Sequence, residues 1–361
     1  MSDHDGRGRH AAGAYSRAEI LSQPEFWARC METFERANDA VRLRKDFGEC
    51  NEWMFIGCGS SYYIALSAAA CWSKITGQRA RAIPASELLL FPELAAEAAE
   101  KPVAVLISRS GSTSETVRAA EILSRSSGVR TVAVTGTPNS PLEKHSQAIL
   151  SLPPCDEHST VMTRSFSSML LGLQYLAASW AADDSLLSAL RRLPALAGAA
   201  LENLNPRIQE FVAGHDFSDY VCLGQGPYYG LACECALKLT EMSISYAQSF
   251  HTLEFRHGPK SIVAPDTLVV FLLSEQGYAA EVDVLEEIKS LGGTTLTIAN
   301  RADGAARAAS DLLIEFAFES PELARLAPYV FAGQLAGLYT GLKKNLDPDS
   351  PRHLSRVVML K

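Results

Sequence analysis

Hydroxyl side chains cluster in one short segment of this 361-residue chain. Residues 108–116, Ser-Arg-Ser-Gly-Ser-Thr-Ser-Glu-Thr, carry six hydroxyl groups around one glycine and follow the apolar run 103–107. Many neutral donors at the carboxyl end of a strand suit phosphate oxygens, whereas an ordinary loop with a helix N-cap would explain only one or two of them. The phosphate-binding candidates in this segment are Ser108, Arg109, Ser110 and Thr113.

A glycine turn follows an earlier apolar run. Residues 57–61, Gly-Cys-Gly-Ser-Ser, come directly after residues 53–56 and lead into an alanine-rich helical stretch. Glycines permit a tight turn, and the helix start presents N–H groups and a positive dipole end, which together suit a phosphate. Many such turns only connect two elements, but two of them after neighbouring strands favour a binding site. The candidates here are Gly59, Ser60 and Ser61.

Two further segments carry titratable side chains. Lys238 and Glu241 are three residues apart and share one face of a predicted helix. Such a pair is commonly a solvated ion pair, but the small and apolar residues at 232–239 predict a buried helix whose pair faces a cleft. His257 lies between Arg256 and a Gly-Pro turn, where an imidazole can exchange protons near neutral pH, although a lone loop histidine is usually a surface residue.

The elements around these segments occur twice. Strand-like apolar runs alternate with helical patterns, which predicts parallel sheets covered by helices on both faces. The sequence therefore predicts an α/β protein with two similar units, each a nucleotide-fold-like, three-layer α/β/α arrangement. The predicted strands are 53–56, 103–107 and 131–134 in the first unit, and 220–223, 268–273, 295–299 and 312–316 in the second. A helix over 19–40, with Pro24 in an N-terminal turn, and a final helix over 322–344 complete the pattern.

These elements predict a division of the chain into five segments. They are a disordered N-terminus at 1–15, a first domain with its N-terminal helix at 16–182, a helical connector at 183–214, a second domain at 215–345 and a C-terminal tail at 346–361.

Composition narrows the classes of function. The net charge of -8 comes without long runs of one sign, so we expect no nucleic-acid partner. No uninterrupted apolar run of about eighteen residues occurs and the first ten residues lack a signal-like stretch, which predicts a cytoplasmic protein without a membrane partner. The eight cysteines include no C-x-x-C pair, so we expect neither a metal site nor a disulfide framework. No G-x-G-x-x-G follows a strand, which argues against a dinucleotide-dependent oxidoreductase, and we expect no cofactor.

Five ordered motifs resemble those of the sugar isomerase (SIS) domain family. The chain looks like two tandem SIS domains, similar to the isomerase half of glucosamine-6-phosphate synthase and to stand-alone amino-sugar-phosphate deaminases and ketose isomerases. The resemblance extends from about residue 19 to the C-terminus. The motifs are residues 57–61, 108–111, Thr-Arg-Ser-Phe at 163–166, Gly-Gln-Gly at 224–226 leading to Ala-Leu-Lys-Leu-Thr-Glu at 236–241, and Glu-Phe-Arg-His-Gly-Pro at 254–259.

The resemblance implies roles for individual residues. Glu241 would be the general base that moves a proton between C1 and C2 of a sugar 6-phosphate, and Lys238 would help to hold the substrate. His257 would open the sugar ring in the active site of a neighbouring subunit, which implies a homodimer with shared active sites. Glu254 would orient that loop or contact the substrate, and the tail would close the site.

The tail departs from the synthase pattern at one position. Arg356 stands where the synthase has a lysine that forms a Schiff base, and a guanidinium does not form that imine. A lysine-imine mechanism at this position is therefore excluded, and Arg356 is expected to bind a phosphate or carboxylate or to be only a terminal basic residue. Because the SIS resemblance begins near residue 19, we also expect no glutaminase activity.

Several functions remain open from the sequence. The first is an isomerase/deaminase that acts on an amino-sugar 6-phosphate of the glucosamine 6-phosphate type and releases ammonia and a ketose phosphate. A plain ketose-phosphate isomerase is the second, and a fructosamine-6-phosphate deglycase, with a larger leaving amine, is the third. A non-catalytic sugar-phosphate sensor is disfavoured by the joint presence of Lys238, Glu241 and His257.

Overall fold

Two parallel sheets of five strands form the two halves of the protein. The computed structural model describes residues 11–95, 101–126, 128–358 and 360. The strands are β1 Glu52–Gly57, β2 Arg79–Pro84, β3 Pro102–Ile107, β4 Arg130–Thr135, β5 Ala148–Ser151, β6 Asp219–Gly224, β7 Tyr246–Phe250, β8 Thr267–Leu272, β9 Thr294–Ala299 and β10 Leu312–Glu315.

Helices cover both sheets. They are α1 Ala14–Leu21, α2 Gln23–Ala37, α3 Asp39–Phe47, α4 Ser60–Thr76, α5 Ala85–Leu90, α6 Pro92–Ala95, α7 Ser114–Arg125, α8 Arg164–Ala181, α9 Asp184–Ala213, α10 Tyr228–Ser243, α11 Tyr278–Ser290, α12 Gly304–Ala308 and α13 Val330–Lys343. None of the helices in the described part of the chain is long and apolar enough to cross a membrane.

The two sheets have the same topology. Their strand orders are β2-β1-β3-β4-β5 and β7-β6-β8-β9-β10, and all of the strand pairs are parallel. In each half the second strand pairs with one side of the first strand and the third strand pairs with its other side. The chain therefore reverses its direction across the sheet, and this topological switch point lies between β1 and β3 in the first half and between β6 and β8 in the second. The predicted fold class, two tandem three-layer α/β/α units, is thereby confirmed.

Alternating side chains sort the core into layers. In β1, Trp53 and Phe55 enter a large central core that runs through both halves, whereas Met54 and Ile56 enter a smaller outer core under α5 and α7. Val221 of β6 lies in a third core under α11. Because the central core contains residues of both halves, the two halves pack against each other.

The sequence prediction differs from the structure mainly at sheet edges and chain ends. The edge strands β2, β5 and β7 are not predicted, because they are short and partly exposed rather than continuously apolar. Residues 1–10 of the predicted disordered segment lie outside the described residues, but Ala14 and Tyr15 already belong to α1.

Predicted helices at the two ends are also divided. The predicted helix 19–40 is interrupted where Asn38 adopts a left-handed conformation between α2 and α3, while Pro24 does lie in the first turn of α2. The predicted helix 322–344 reduces to α13, preceded by two 3-10 turns, because Pro328 lacks the N–H that a continuous helix would need there. The connector is one long helix, α9, whose N-cap Asp183 accepts a hydrogen bond from the Leu186 N–H at 2.9 Å.

Candidate active site

Close packing of α4 against α10 brings the two halves together. A Cβ added to Gly230 of α10 would lie 2.4 Å from Ser67 Oγ and 2.4 Å from Tyr63 O of α4, so no larger residue fits without movement. The Ser67 hydroxyl also donates to Pro227 O at 2.7 Å. At the other end of the helix pair, Ser60 at the N-terminus of α4, with its positive dipole end, lies 3.4 Å from the Lys238 ammonium of α10.

A small cleft of about 180 Å³ opens at the first switch point. It lies between the loops that follow β1 and β3, where open α/β sheets bind ligands. Its lining residues are Cys58, Gly59, Ser60, Ser61, Arg109, Ser110, Thr113, Thr160, Val161, Met162, Glu241, Ser355, Arg356 and Val358. Eight of the residues singled out from the sequence thus meet in one place.

The loop after β3 is held by its own glycine and hydroxyls. Gly111 has φ +60°, and a Cβ there would lie 2.1 Å from Ser140 Oγ, so only glycine fits this close turn. The Ser112 N–H donates to Ser110 Oγ at 3.2 Å, and Ser108 Oγ lies 3.2 Å from Thr113 Oγ1. Ser108 is buried and does not line the cleft, so it supports Thr113 rather than facing the interior of the cleft.

Three charged side chains of α10 form a buried row beneath the cleft. The Lys238 ammonium lies 2.5 Å from Glu241 Oε2 and 3.3 Å from Glu234 Oε1, and it donates to Ser60 Oγ at 3.4 Å. Lys238 and Glu234 are almost completely buried, whereas the Glu241 side chain is 18% exposed and reaches the cleft. Glu241 is therefore the member of the row placed to contact a ligand, and Lys238 holds it from behind.

Burial and neighbouring charges shift two pKa values in this row. Burial, with the nearby Glu241 carboxylate, raises the pKa of Glu234 to about 7, although the Lys238 ammonium opposes the shift. Burial lowers the pKa of Lys238, but the two carboxylates outweigh it and leave that pKa above its ordinary value. Lys238 therefore remains an ammonium at neutral pH.

Arg109 lines the cleft, but its guanidinium is hydrogen-bonded to backbone carbonyl groups of the surrounding segments. It donates to Thr160 O at 3.0 Å, to Val161 O at 3.3 Å and to Arg356 O at 3.3 Å, and it pairs with the buried Glu157 carboxylate at 3.3 Å. Through these bonds one buried arginine ties the loop that ends in residues 160–162 to the C-terminal tail.

Glu157 fixes the other end of the same loop. Its carboxylate accepts hydrogen bonds from the Thr163 N–H and the Thr163 hydroxyl, both at 2.7 Å, and from the Ser165 N–H at 3.2 Å. It thereby caps the N-terminus of α8, which gives two residues of the Thr-Arg-Ser-Phe motif at 163–166 a structural role.

The C-terminal tail crosses the cleft. Ser355, Arg356 and Val358 line it, and the Ser114 N–H at the start of α7 donates to Val358 O at 3.3 Å. The half-exposed Arg356 guanidinium forms an ion pair with Asp156. Its side chain is thus anchored at the rim of the cleft.

Glu254 and His257 lie outside this cleft. Both are exposed, on the loop between β7 and β8, and neither belongs to the lining residues. Lys238 and Glu241, the predicted site residues of α10, lie in or directly behind the cleft, so the loop with Glu254 and His257 is the part of the predicted site that the chain does not bring to it.

Sequence reasoning missed Glu234 and residues 160–162. Glu234 precedes Lys238 by one helical turn, and this i,i+4 spacing was a usable signal. Residues 160–162, Thr-Val-Met, carry no charged group, and only the folding of their loop under Arg109 brings them to the cleft. Within the described residues, no group of three or more His, Cys, Asp or Glu side chains could hold a metal ion.

Comparisons with known proteins agree with the repeated architecture. The sequence model of the SIS domain matches residues 47–179 and 219–336, one match in each half. The chain is 26% identical over 349 residues to the isomerizing glutamine–fructose-6-phosphate aminotransferase of Methanothermobacter thermautotrophicus, which covers 96% of this chain but only 58% of that protein. The chain thus spans just over half the length of the curated relatives it matches.

Solved structures show the same fold over nearly the whole chain. The glucosamine-6-phosphate deaminase of Thermotoga maritima is 29% identical, covers 96% of this chain and 100% of its own, and superimposes with a TM-score of 0.79. The tagatose-6-phosphate ketose/aldose isomerase of Escherichia coli is 22% identical, covers 95% of this chain and 97% of its own, and gives a TM-score of 0.84, a likeness of fold. The resemblance inferred from the five motifs is confirmed, and the chain belongs to the SIS domain family.

Proposed function

We propose that this protein is an isomerase/deaminase of an amino-sugar 6-phosphate such as glucosamine 6-phosphate. The observation that carries the proposal is the Glu241 carboxylate, which enters the cleft opposite two hydroxyl-bearing loops and is held by a buried ammonium 2.5 Å away. A sugar phosphate needs both features, donors for its phosphate and one base near its reacting carbons. The 29% identity to a glucosamine-6-phosphate deaminase over the whole of that chain favours an amino sugar.

The phosphate would bind at the hydroxyl-bearing loops. Ser110 and Thr113 from the loop after β3, with Ser60 and Ser61 at the N-terminus of α4, all line the cleft. Hydroxyl donors and a helix N-terminus stabilise a dianion, and the Lys238 ammonium lies directly behind this site, 3.4 Å from Ser60 Oγ. In this arrangement Arg109 contributes indirectly, because its guanidinium already bonds the backbone that forms the opposite wall.

The chemistry then needs one base and one water. Once the ring is open, Glu241 takes the C2 proton of the aldose and delivers it to C1, while O1 gains a proton and the amine loses one. The aldehyde at C1 thereby becomes a hydroxymethyl group and the amine at C2 becomes an imine. Water adds to that imine, the C–N bond breaks, and ammonia leaves with fructose 6-phosphate as the other product. Lys238 keeps the carboxylate oriented towards C1 and C2.

His257 would supply the ring-opening proton transfer from a neighbouring subunit. Its exposed position outside the cleft of its own chain supports this assignment, since a residue needed for catalysis would otherwise have no substrate to contact. Glu254 lies on the same exposed loop and would enter the partner site with it. The proposed active unit is therefore a homodimer with two shared sites.

The direct test is an incubation of the purified protein with glucosamine 6-phosphate in which ammonia and fructose 6-phosphate are followed together. Equal release of both, absent from a Glu241→Gln preparation made identically, is the expected result. Neither product would overturn the deaminase function. Other hexose 6-phosphates and amino-acid adducts of fructose 6-phosphate would then test the plain isomerase and the deglycase.

Sharing of the site between subunits is testable by mixing two inactive variants. Random dimers of Glu241→Gln and His257→Asn should recover about one quarter of wild-type activity, because half of the dimers are mixed and each of these has one intact site. Lys238→Met mixed with Glu241→Gln is the control, since both residues belong to one chain's cleft and no intact site forms. Equal inactivity of both mixtures would contradict the shared site.

A further inference from the structure

The loop that carries His257 is built around one exposed turn. Residues 254–262, here called the histidine loop, consist of the 3-10 turns Glu254–Arg256 and Pro259–Ile262 with His257 and Gly258 between them. Gly258 has φ +118°, a backbone conformation that other residues rarely adopt. The histidine thus lies at the junction between two short turns, and its direction depends on the contacts that hold those turns in place.

Those contacts converge on one carboxylate of α11. Arg256 Nε donates to Glu287 Oε2 at 2.8 Å, and Lys260 Nζ bonds to Glu287 Oε1, so the two oxygens hold one cation each. The two cations are four residues apart and lie on either side of His257 in the chain. Beneath them, the fully buried Phe255 packs in the same core as Leu285 of α11.

We propose that Glu287 is a positioning residue for the histidine loop, and hence for the reaction that His257 serves in the partner subunit. Phe255 fixes the position of the loop on α11. The His257 N–H donates to Glu254 O and the Ser261 N–H to Gly258 O, both at 3.0 Å, but these bonds lie within the loop itself and do not tie the junction to α11. The bifurcated ion pair closes the loop on both sides of that junction and so fixes where the imidazole points. This role rests on the proposed function, because it concerns the ring-opening step.

The contact is suited to orientation rather than to global stability. The three side chains are partly exposed, and exposed ion pairs contribute little to the free energy of unfolding. Proton transfer, in contrast, depends steeply on placement, and a displacement of about 1 Å can cost roughly a hundredfold in rate. Loss of the carboxylate should therefore leave the fold intact and slow turnover.

Glu287→Gln tests the proposal, with Glu286→Gln as the matched control. Glu286 is the preceding residue of α11 and its side chain is exposed. For Glu287→Gln we expect a roughly tenfold lower kcat with KM within about twofold of wild type. Hydrogen–deuterium exchange of the peptide 253–263 should become faster, Glu286→Gln should change neither quantity, and Glu287→Asp should recover part of kcat.

The two readouts separate the possible failures. Unchanged exchange in Glu287→Gln would show that the carboxylate does not hold the loop and would overturn the proposal. Faster exchange with unchanged kcat would overturn the positioning role while leaving the proposed function intact. If the wild-type protein converts no amino-sugar or hexose 6-phosphate, the proposed function and the catalytic role of Glu287 both fail, whatever the exchange shows.

Discussion

The two switch points of this protein have the same topology, but the first is an open cleft and the second is filled by a side chain of its own half. At the first, the loop after β3 turns its hydroxyls into an open cleft beside the N-terminus of α4. At the second, the Ser274 N–H donates at 3.0 Å to the carboxylate of Glu281, which is almost completely buried in α11. A Cβ on Gly277 would lie 2.5 Å from Glu281 Oε1, so the carboxylate fills the space next to the turn. In the second half, the donors that could bind an anion at the switch point are therefore already bonded to the Glu281 carboxylate.

The largest expected difference between the two regions concerns turnover. Glu241→Gln should lower kcat by roughly a hundredfold to ten-thousandfold, because it removes the base and almost no volume. The same substitution at Glu281 should leave kcat within about twofold, because that carboxyl contacts only its own half. Steady-state assays of the two variants make the comparison, and equal losses would mean that the second switch point takes part in catalysis.

A smaller difference is expected for phosphate binding. Ser110→Ala combined with Thr113→Ala should weaken binding of a sugar 6-phosphate about tenfold to a hundredfold, since in an open cleft water can replace each lost donor and the net cost is roughly 0.5–1.5 kcal/mol per hydrogen bond. Ser274→Ala should leave that affinity unchanged. Calorimetric titration measures both, with circular dichroism as the check on folding. Unchanged affinity in the double variant would place the phosphate elsewhere.

The smallest expected effect is on stability as a function of pH. Burial raises the pKa of Glu281 from 4.5 to about 7 despite hydrogen bonds from Ser274. A carboxyl with a raised folded-state pKa stabilises the fold below its unfolded pKa and loses that contribution as pH rises through the folded pKa. Between about pH 4.5 and 7 the free energy of unfolding should therefore fall by roughly 1–3 kcal/mol on account of this group.

Glu281→Gln should make that decline shallower. Urea unfolding at pH 5 and pH 8 measures it, and the remaining decline is assigned to Glu234, whose pKa is raised in the same direction. An identical pH dependence in the variant and the wild type would show that Glu281 is already ionised at low pH.

The comparison also indicates how far sequence alone could go. Central strands such as β3 and β8 are continuous apolar runs, so their positions, the glycine turns and the repeat were all predictable. The edge strand β7, Tyr-Ala-Gln-Ser-Phe, carries no such signal, because one side of it is not covered. Its pairing with β6 is set by the fold rather than by its own composition.

Directions of side chains were less predictable than positions. Ser110 and Arg109 are neighbours in one motif, yet the arginine turns to the backbone of two other segments that are far away in the chain. From the sequence, Glu234 is indistinguishable from a solvent-exposed helix residue, and only the structure shows that it is buried beside Lys238. Long-range contacts of this kind follow from packing, which a local pattern does not contain.

The contact between Lys238 and Ser60 gives the duplicated architecture an evolutionary consequence. The phosphate loops belong to the first half and the charged row of α10 to the second, and the two meet across the boundary between the repeats. After a duplication, copies that share one reaction centre in this way are no longer interchangeable. Each is free to lose what the other supplies, and selection then preserves the pair rather than either copy alone.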